Sequence, residues 1–303
     1  MGIKTENNRK IGTRLRKIIV IQSLRPSDEK TGLLLHDDLQ TLELWYNRGL
    51  KTAFHNVGCK AELTGLLSHI EKEVASDWEV PVIHFEMHGN SQGLCLALGE
   101  FISWEQLKSH LIRINILTRN NLLIALAACY GAYFSKVLMP MDRTPCWALV
   151  GPQETILPGN LLKSYLEFYR EIFETGNGSR AIERLNDAVD PKKKAYFFAQ
   201  CEFFFKFVYR RYLKEYFATR VLKVRAEKLY LKLKAANKDV RHPKDVKKML
   251  LQGREKHFEK HRERFFMMDL YPENRKRFNV TYQDVVNFRQ PNGPVNVHLI
   301  GMQ

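Results

Sequence analysis

Apolar and polar positions along the first 190 residues alternate between two periods. Lys17 to Leu24 (KIIVIQSL) is a β-branched apolar run of strand length, and Arg25-Pro26-Ser27-Asp28 stops it with turn chemistry. From Asp37 to Arg48 the apolar residues Leu39, Leu42, Leu44 and Trp45 fall between charges and Gly49 follows, a helix with its C-terminal stop. Lys51 to Asn56 reads as a second strand. Lys60 to Val74 reads as a helix with Leu63, Leu66, Leu67 and Ile70 on one face. Pro81 to Met87 and Asn121 to Ala128 are strands around a helix from Ile102 to Ile114. Cys146 to Val150 is a fifth strand, before helices at Asn160 to Phe173 and Arg180 to Ala188. Strands alternating with helices imply an α/β fold with a mostly parallel sheet and right-handed crossovers, its reactive residues at the carboxyl ends of the strands.

Beyond residue 190 the pattern changes. Phe197 to about Ala236 reads as one long amphipathic stretch, with Phe203, Phe204, Phe207, Tyr212, Leu213, Tyr216 and Phe217 set between Lys and Arg. Such a stripe is most simply core. A second helical stretch from His242-Pro243 through Arg264 is mostly charged and reads as a solvated arm. Tyr271 to Gln303 reads as irregular, with one or two short strands.

Charge divides the chain at the same place. The net charge is +15, yet residues 191–303 hold 27 Lys+Arg against 11 Asp+Glu, while residues 1–190 hold 21 against 22. The expected organisation is therefore a near-neutral α/β domain over 1–190 and a basic, mainly helical regulatory or ligand-sensing region over 191–303. So much uncompensated charge calls for an anionic partner: nucleic acid, a phosphate-bearing signal or an acidic protein. No zinc-finger, RRM, KH or phosphate-loop signature names it; Arg210, Arg211 and Lys214 are the candidate ligand contacts. No long uncharged apolar run and no leader-like start are present, so the reading is a cytoplasmic protein with no membrane partner. Five scattered cysteines form no C-x-x-C pair and suggest neither disulfides nor zinc. No cofactor is expected.

Two strands end in residues that can react. Pro81 to Met87 runs into His88-Gly89-Asn90, and Asn121 to Ala128 into Cys129-Tyr130-Gly131. Leaving two strands of one sheet at the same edge, an imidazole and a thiol can lie within reach of each other although 41 residues separate them. A thiol needs a base to become a nucleophile, and the imidazole can then protonate a leaving amine. The N–H groups of Gly89 and Cys129 would hold an oxyanion. Cys59, Cys95, Cys146 and Cys201 read as structural. His84, four residues before His88 on the same face, reads as packing or as a hydrogen-bond support rather than a metal ligand.

In IHFEMHGN, LIALAACYGA, CWALVGPQETI and the following LLKSYLEFYREIFETGNGSRAIERLNDA, residues 17 to 190 resemble the caspase-like cysteine peptidases of clan CD, especially the bacterial CHAT-type members. The resemblance implies a cysteine endopeptidase with Cys129 as nucleophile, His88 as acid/base and the backbone of Gly89 and Cys129 as oxyanion donors. It also implies a protein substrate and an antiviral effector role, held off until a nucleotide-derived signal or an activating partner binds an attached region, with oligomers possible. The competing reading is a caspase-like scaffold without proteolysis that displays its basic region to nucleic acid or a signalling protein. Where related enzymes place Gln or Asp two residues before the nucleophile, this chain has Ala127, which predicts an uncharged P1 residue unless Asp142, Arg143 or Glu154 supplies the missing charge.

Overall fold

A computed structural model describes residues 15–46, 49–77, 79–190, 192 and 195–289. It is an α/β protein built on an eight-stranded sheet. The main path is β2 (Lys51–Asn56), β1 (Lys17–Ser23), β3 (Pro81–Asn90), β6 (Leu123–Ala127), β7 (Ala148–Pro152) and β8 (Tyr196–Gln200). The first five are mutually parallel, and β8 runs antiparallel to β7. Past the sheet edge β3 continues into a hairpin with β4 (Gly93–Cys95), which pairs with β5 (Phe101–Ser103).

The central strands are largely apolar because both sheet faces are covered, while the edge strand β2 is only partly buried. Ile19, Ile21, Ile83, Phe85, Ile124 and Leu126 join one core, while Ile18, Val20, Val82, Ala125 and Ala127 join the other. On the second face lie α1 (Thr31–Tyr46), α4 (Pro158–Thr175) and α5 (Gly178–Asp187). On the first lie α2 (Lys60–Asp77) and α3 (Trp104–Leu117) with the C-terminal helices. In α1 the buried stripe is Leu35, Leu39 and Leu42; Leu44 and Trp45, expected on it, are 80% and 76% exposed because they fall off the 3.6-residue period. α3 begins two residues later than the periodicity suggests. Phe101 to Ser103 pairs with β4, and the Ser103 hydroxyl then caps the helix in a capping box with Gln106.

The basic part departs further from expectation. Its first apolar residues form β8, not helix: Phe197 and Ala199 face one core and Tyr196 and Phe198 the other, a period of two. The chain then divides into α6 (Cys201–Tyr216) and α7 (Thr219–Ala235), with Phe217 and Ala218 between them. Phe204, Phe205, Val208 and Tyr209 of α6 are buried in the same core as α2 and α3. The charged stretch is α8 (Pro243–Gln252) and α9 (Arg254–Phe265), and it is no free arm, since Phe258 and Phe265 are buried against α6. From Tyr271 the described chain forms two short helices, α10 (Asn274–Arg277) and α11 (Tyr282–Asn287), in otherwise irregular chain, with no strand among the described residues; Thr281 caps α11 through Asp284. Pro291 and Pro294 lie outside the described residues, as does Arg48. No described helix is long and apolar enough to cross a membrane.

Candidate active site

The sheet register sets the site. Glu86 of β3 faces Ala127 of β6, the last pair of that parallel ladder. Two residues further along the chain from each stand His88, still in β3, and Cys129, in the turn after β6. Both leave the carboxyl edge of the sheet, where α/β folds collect reactive groups.

Glycine at 89 lets β3 lie this close to the chain leaving β6, and glycine at 131 lets that chain fold back onto β6. A β-carbon at Gly89 would lie 2.8 Å from the Cys129 carbonyl oxygen and 3.0 Å from the Ala128 β-carbon. One at Gly131 would lie 2.8 Å from both the β-carbon and the carbonyl oxygen of Leu126. The glycine of H-G is thus a packing requirement of the contact between β3 and Cys129, and that of C-x-G a requirement of the turn after it. Tyr130 turns the chain at a left-handed φ of 60°, its N–H donating to the Glu154 carbonyl at 3.3 Å, and a 3-10 helix over Gly131–Val137 follows. The turn takes Cys129 past the ladder, half-buried, with its thiol 3.9 Å from the Ile156 carbonyl oxygen.

His88 is 47% exposed and has a partner that sequence reasoning missed. Its Nε2 lies 2.8 Å from the Asp28 carboxylate, in the turn between β1 and α1. That hydrogen bond, followed by one from the Arg25 N–H, lowers the Asp28 pKa below the usual 3.8. An ionised Asp28 accepts from an Nε2–H, and in that tautomer Nδ1 is the nitrogen that carries the lone pair. The available signal was positional: R-P-S-D follows the first parallel strand and so lies at the same edge.

Beneath the site is a buried polar chain. The Thr31 hydroxyl donates to Glu86 at 2.7 Å, Glu86 lies 2.9 Å from His84 Nε2, and His84 Nδ1 lies 3.1 Å from the Tyr169 hydroxyl. His84 is fully buried and Glu86 nearly so. Burial, with the Glu86 charge adding to it, raises the Tyr169 pKa far above its ordinary value, so the phenol stays protonated. His84 thus sits inside the protein as a hydrogen-bonded support. Because Thr31 opens α1, this network also anchors the far end of the turn that carries Asp28.

The basic part grips the segment that follows the nucleophile. Arg211 donates to the Leu138 carbonyl at 3.0 Å, Arg143 pairs with Asp269 at 2.6 Å, and the Arg264 Nε donates to the Met141 carbonyl at 2.8 Å. The Thr144 N–H donates to the Phe265 carbonyl at 3.1 Å. The three candidate ligand contacts on α6 diverge: Arg211 is committed to this brace, Arg210 is half-buried with an unpartnered Nε, and Lys214 is exposed. Of the three loop charges near the site, Asp142 bonds Lys108 at 2.8 Å and Arg143 bonds Asp269. The Glu154 carbonyl accepts the Tyr130 N–H, beside Cys129. No family model matches the chain, and no curated protein matches it.

Proposed function

We propose that this protein is a cysteine endopeptidase whose nucleophile is Cys129 and whose acid/base is His88, oriented by Asp28. The observation that carries the reading is the shared register of β3 and β6, which sets His88 and Cys129 the same two residues beyond the Glu86–Ala127 pair. The Cys129 thiol passes its proton to His88 Nδ1, and the thiolate attacks the substrate carbonyl carbon. The N–H groups of Gly89 and Cys129 receive the oxyanion; one such donor is typically worth about 3 to 4 kcal/mol in the transition state. On collapse the imidazolium protonates the departing amine, leaving an acyl-thioester. Water, losing a proton to the same imidazole, hydrolyses it and restores the thiol.

The basic part is the proposed controlling element. Its contacts to residues 138–144 would relay a partner's binding to the turn that starts at Cys129, the arrangement expected of an antiviral effector released by a signal. The test is labelling of the purified protein with an electrophilic peptide-like thiol probe, mapped by mass spectrometry. Selective modification of Cys129 that disappears in His88→Ala supports the peptidase. Equal labelling of several cysteines favours a scaffold that acts by binding alone.

A further inference from the structure

The basic part carries a helical hairpin that belongs to neither core. α7 packs chiefly on α8, and no residue of 219–252 joins the apolar clusters on the two sheet faces. The buried residues of the pair are Leu222 and Ala226 in α7 and Val246 in α8. Half-buried Leu229 and Leu233 extend that row along α7 at helical spacing. At the base of the hairpin the Arg225 guanidinium donates to the Tyr216 carbonyl at 2.8 Å and lies over the Phe217 ring.

The opposite side of α7 breaks the usual pattern, in which a helix that has buried one stripe shows water a polar face. Val221, Val224, Lys228, Leu231 and Ala235 follow one another there three and four residues apart, and Val221, Val224 and Leu231 are 39%, 44% and 66% exposed. The row is a crest between cations. Arg220, Lys223 and Lys234 are exposed along one side of it, with Glu227 among them, and Lys232 along the other. On α8, Met249, Lys244 and Lys248 are exposed as well.

The charge is uncompensated. Residues 219–252 are all described, and they hold eleven Lys and Arg against Glu227, Asp239 and Asp245. None forms an ion pair among the described residues, and Asp245 is occupied in capping α8 through the His242 N–H. The residues outside the description hold a single acid, Glu6, too little to balance the hairpin.

The partner must suit both the cations and the crest. Nucleic acid is read by arginine forks and aromatic stacking, whereas eight of the eleven cations are lysines and the crest has no aromatic residue. A protein partner would look for Trp, Tyr or Arg anchors, which the crest also lacks. A bilayer with anionic headgroups meets both features: aliphatic side chains enter the acyl boundary, while lysine stems lie along it with their ammonium groups among the headgroups. We infer that the α7–α8 hairpin docks this protein on an anionic lipid surface, with α7 lying in the plane of the interface. The inference does not depend on the chemistry at Cys129. It reverses the reading of no membrane partner, which followed from the lack of a long apolar run; a helix that lies on a bilayer needs only a stripe.

The test is sedimentation of the full chain with phosphatidylcholine vesicles, with and without one-third phosphatidylserine, in about 0.1 M salt. Binding to the anionic vesicles should be at least tenfold tighter. Lys228→Glu with Lys232→Glu should weaken it at least tenfold. Lys256→Glu with Lys276→Glu, the same change in net charge on α9 and α10, should leave it within twofold. Leu231→Ser, which removes no charge, should weaken it at least threefold. All the substituted residues are exposed, so the variants should keep the wild-type Tm. Equal binding to both vesicles, or binding to neither, overturns the inference. An equal loss in the α9 and α10 variant also overturns it, because the net charge of the whole basic part would then drive binding. Unchanged binding in Leu231→Ser removes the crest from the contact and the inference with it. Release from the anionic vesicles by a short DNA duplex at equal phosphate concentration would make the hairpin a nucleic-acid surface instead.

Discussion

Gly89 and Cys129 are in contact: no side chain fits at 89, because its first carbon would sit 2.8 Å from the carbonyl oxygen of 129. The obstruction is backbone, so it cannot rotate away. Gly89→Ala is expected to push β3 from β6 at the site, at a cost of about 1–3 kcal/mol for an overpacked position. Denaturant unfolding reads the stability, and probe labelling reads the Cys129 reactivity, which should fall with it. An unchanged labelling rate would show that the junction tolerates displacement.

Asp28 holds one nitrogen of His88, so Asp28→Asn should impair catalysis without unfolding the protein. Asparagine can present its amide to Nε2 and select the wrong tautomer. The expected loss in kcat is about tenfold or more, short of the complete loss in His88→Ala, with KM little changed. A wild-type kcat in Asp28→Asn would remove Asp28 from the machinery.

The polar chain below the site is a stability element with a larger effect. Removing Glu86 leaves His84 and the Thr31 hydroxyl without their partner in a dry interior, so Glu86→Ala should cost about 3–5 kcal/mol in equilibrium unfolding. A cost below 1 kcal/mol would mean that water replaces the carboxylate.

The five thiols should separate by environment. Burial raises the pKa of Cys146 and of Cys201 far above the ordinary thiol value, so both should resist iodoacetamide in the native protein and react after unfolding. Cys59, Cys95 and Cys129 are only half-buried. Native-state mass mapping that finds Cys201 modified would contradict the packing of α6 against the sheet.

Arg143 and Asp269 tie the loop after the nucleophile to the basic part, and the hydrogen bond lowers the Asp269 pKa from 3.8. A carboxylate depressed by folding contributes stability above its unfolded pKa and loses it as the pH falls through its folded pKa. Asp269→Asn should therefore cost up to about 1 kcal/mol between pH 5 and 7, a small value because the carboxylate is 42% exposed. In urea unfolding the gap should close as the pH falls below about 3.8. A gap independent of pH would assign the effect to packing.

How much of this was legible in the sequence depended on whether the signal was local. Continuous apolar runs such as Ile18 to Ile21 marked strands covered on both faces, and strand endings placed His88 and Cys129 at one edge. Asp28 reaches His88 across 60 residues, and nothing in a turn sequence states which side chain will accept from an imidazole. The aromatic stretch of the basic part misled for a related reason. Tyr196 to Ala199 fits either period over so few residues, and pairing with β7 decides it.

Arg211 separates the two roles open to the basic residues of α6. Its guanidinium donates to the Leu138 carbonyl and lies 3.5 Å from that of Lys136, so it props the segment that begins at the nucleophile. Lys214, one turn on, is exposed. If α6 acts on the site through this brace, Arg211→Ala should lower the Cys129 labelling rate severalfold in the absence of any ligand, while Lys214→Ala leaves it unchanged. If α6 acts only as an anion-binding surface, both variants should label like wild type, and both should weaken heparin binding in a salt-dependent way. Slower labelling in Arg211→Ala alone would make the basic part a mechanical component of the active site.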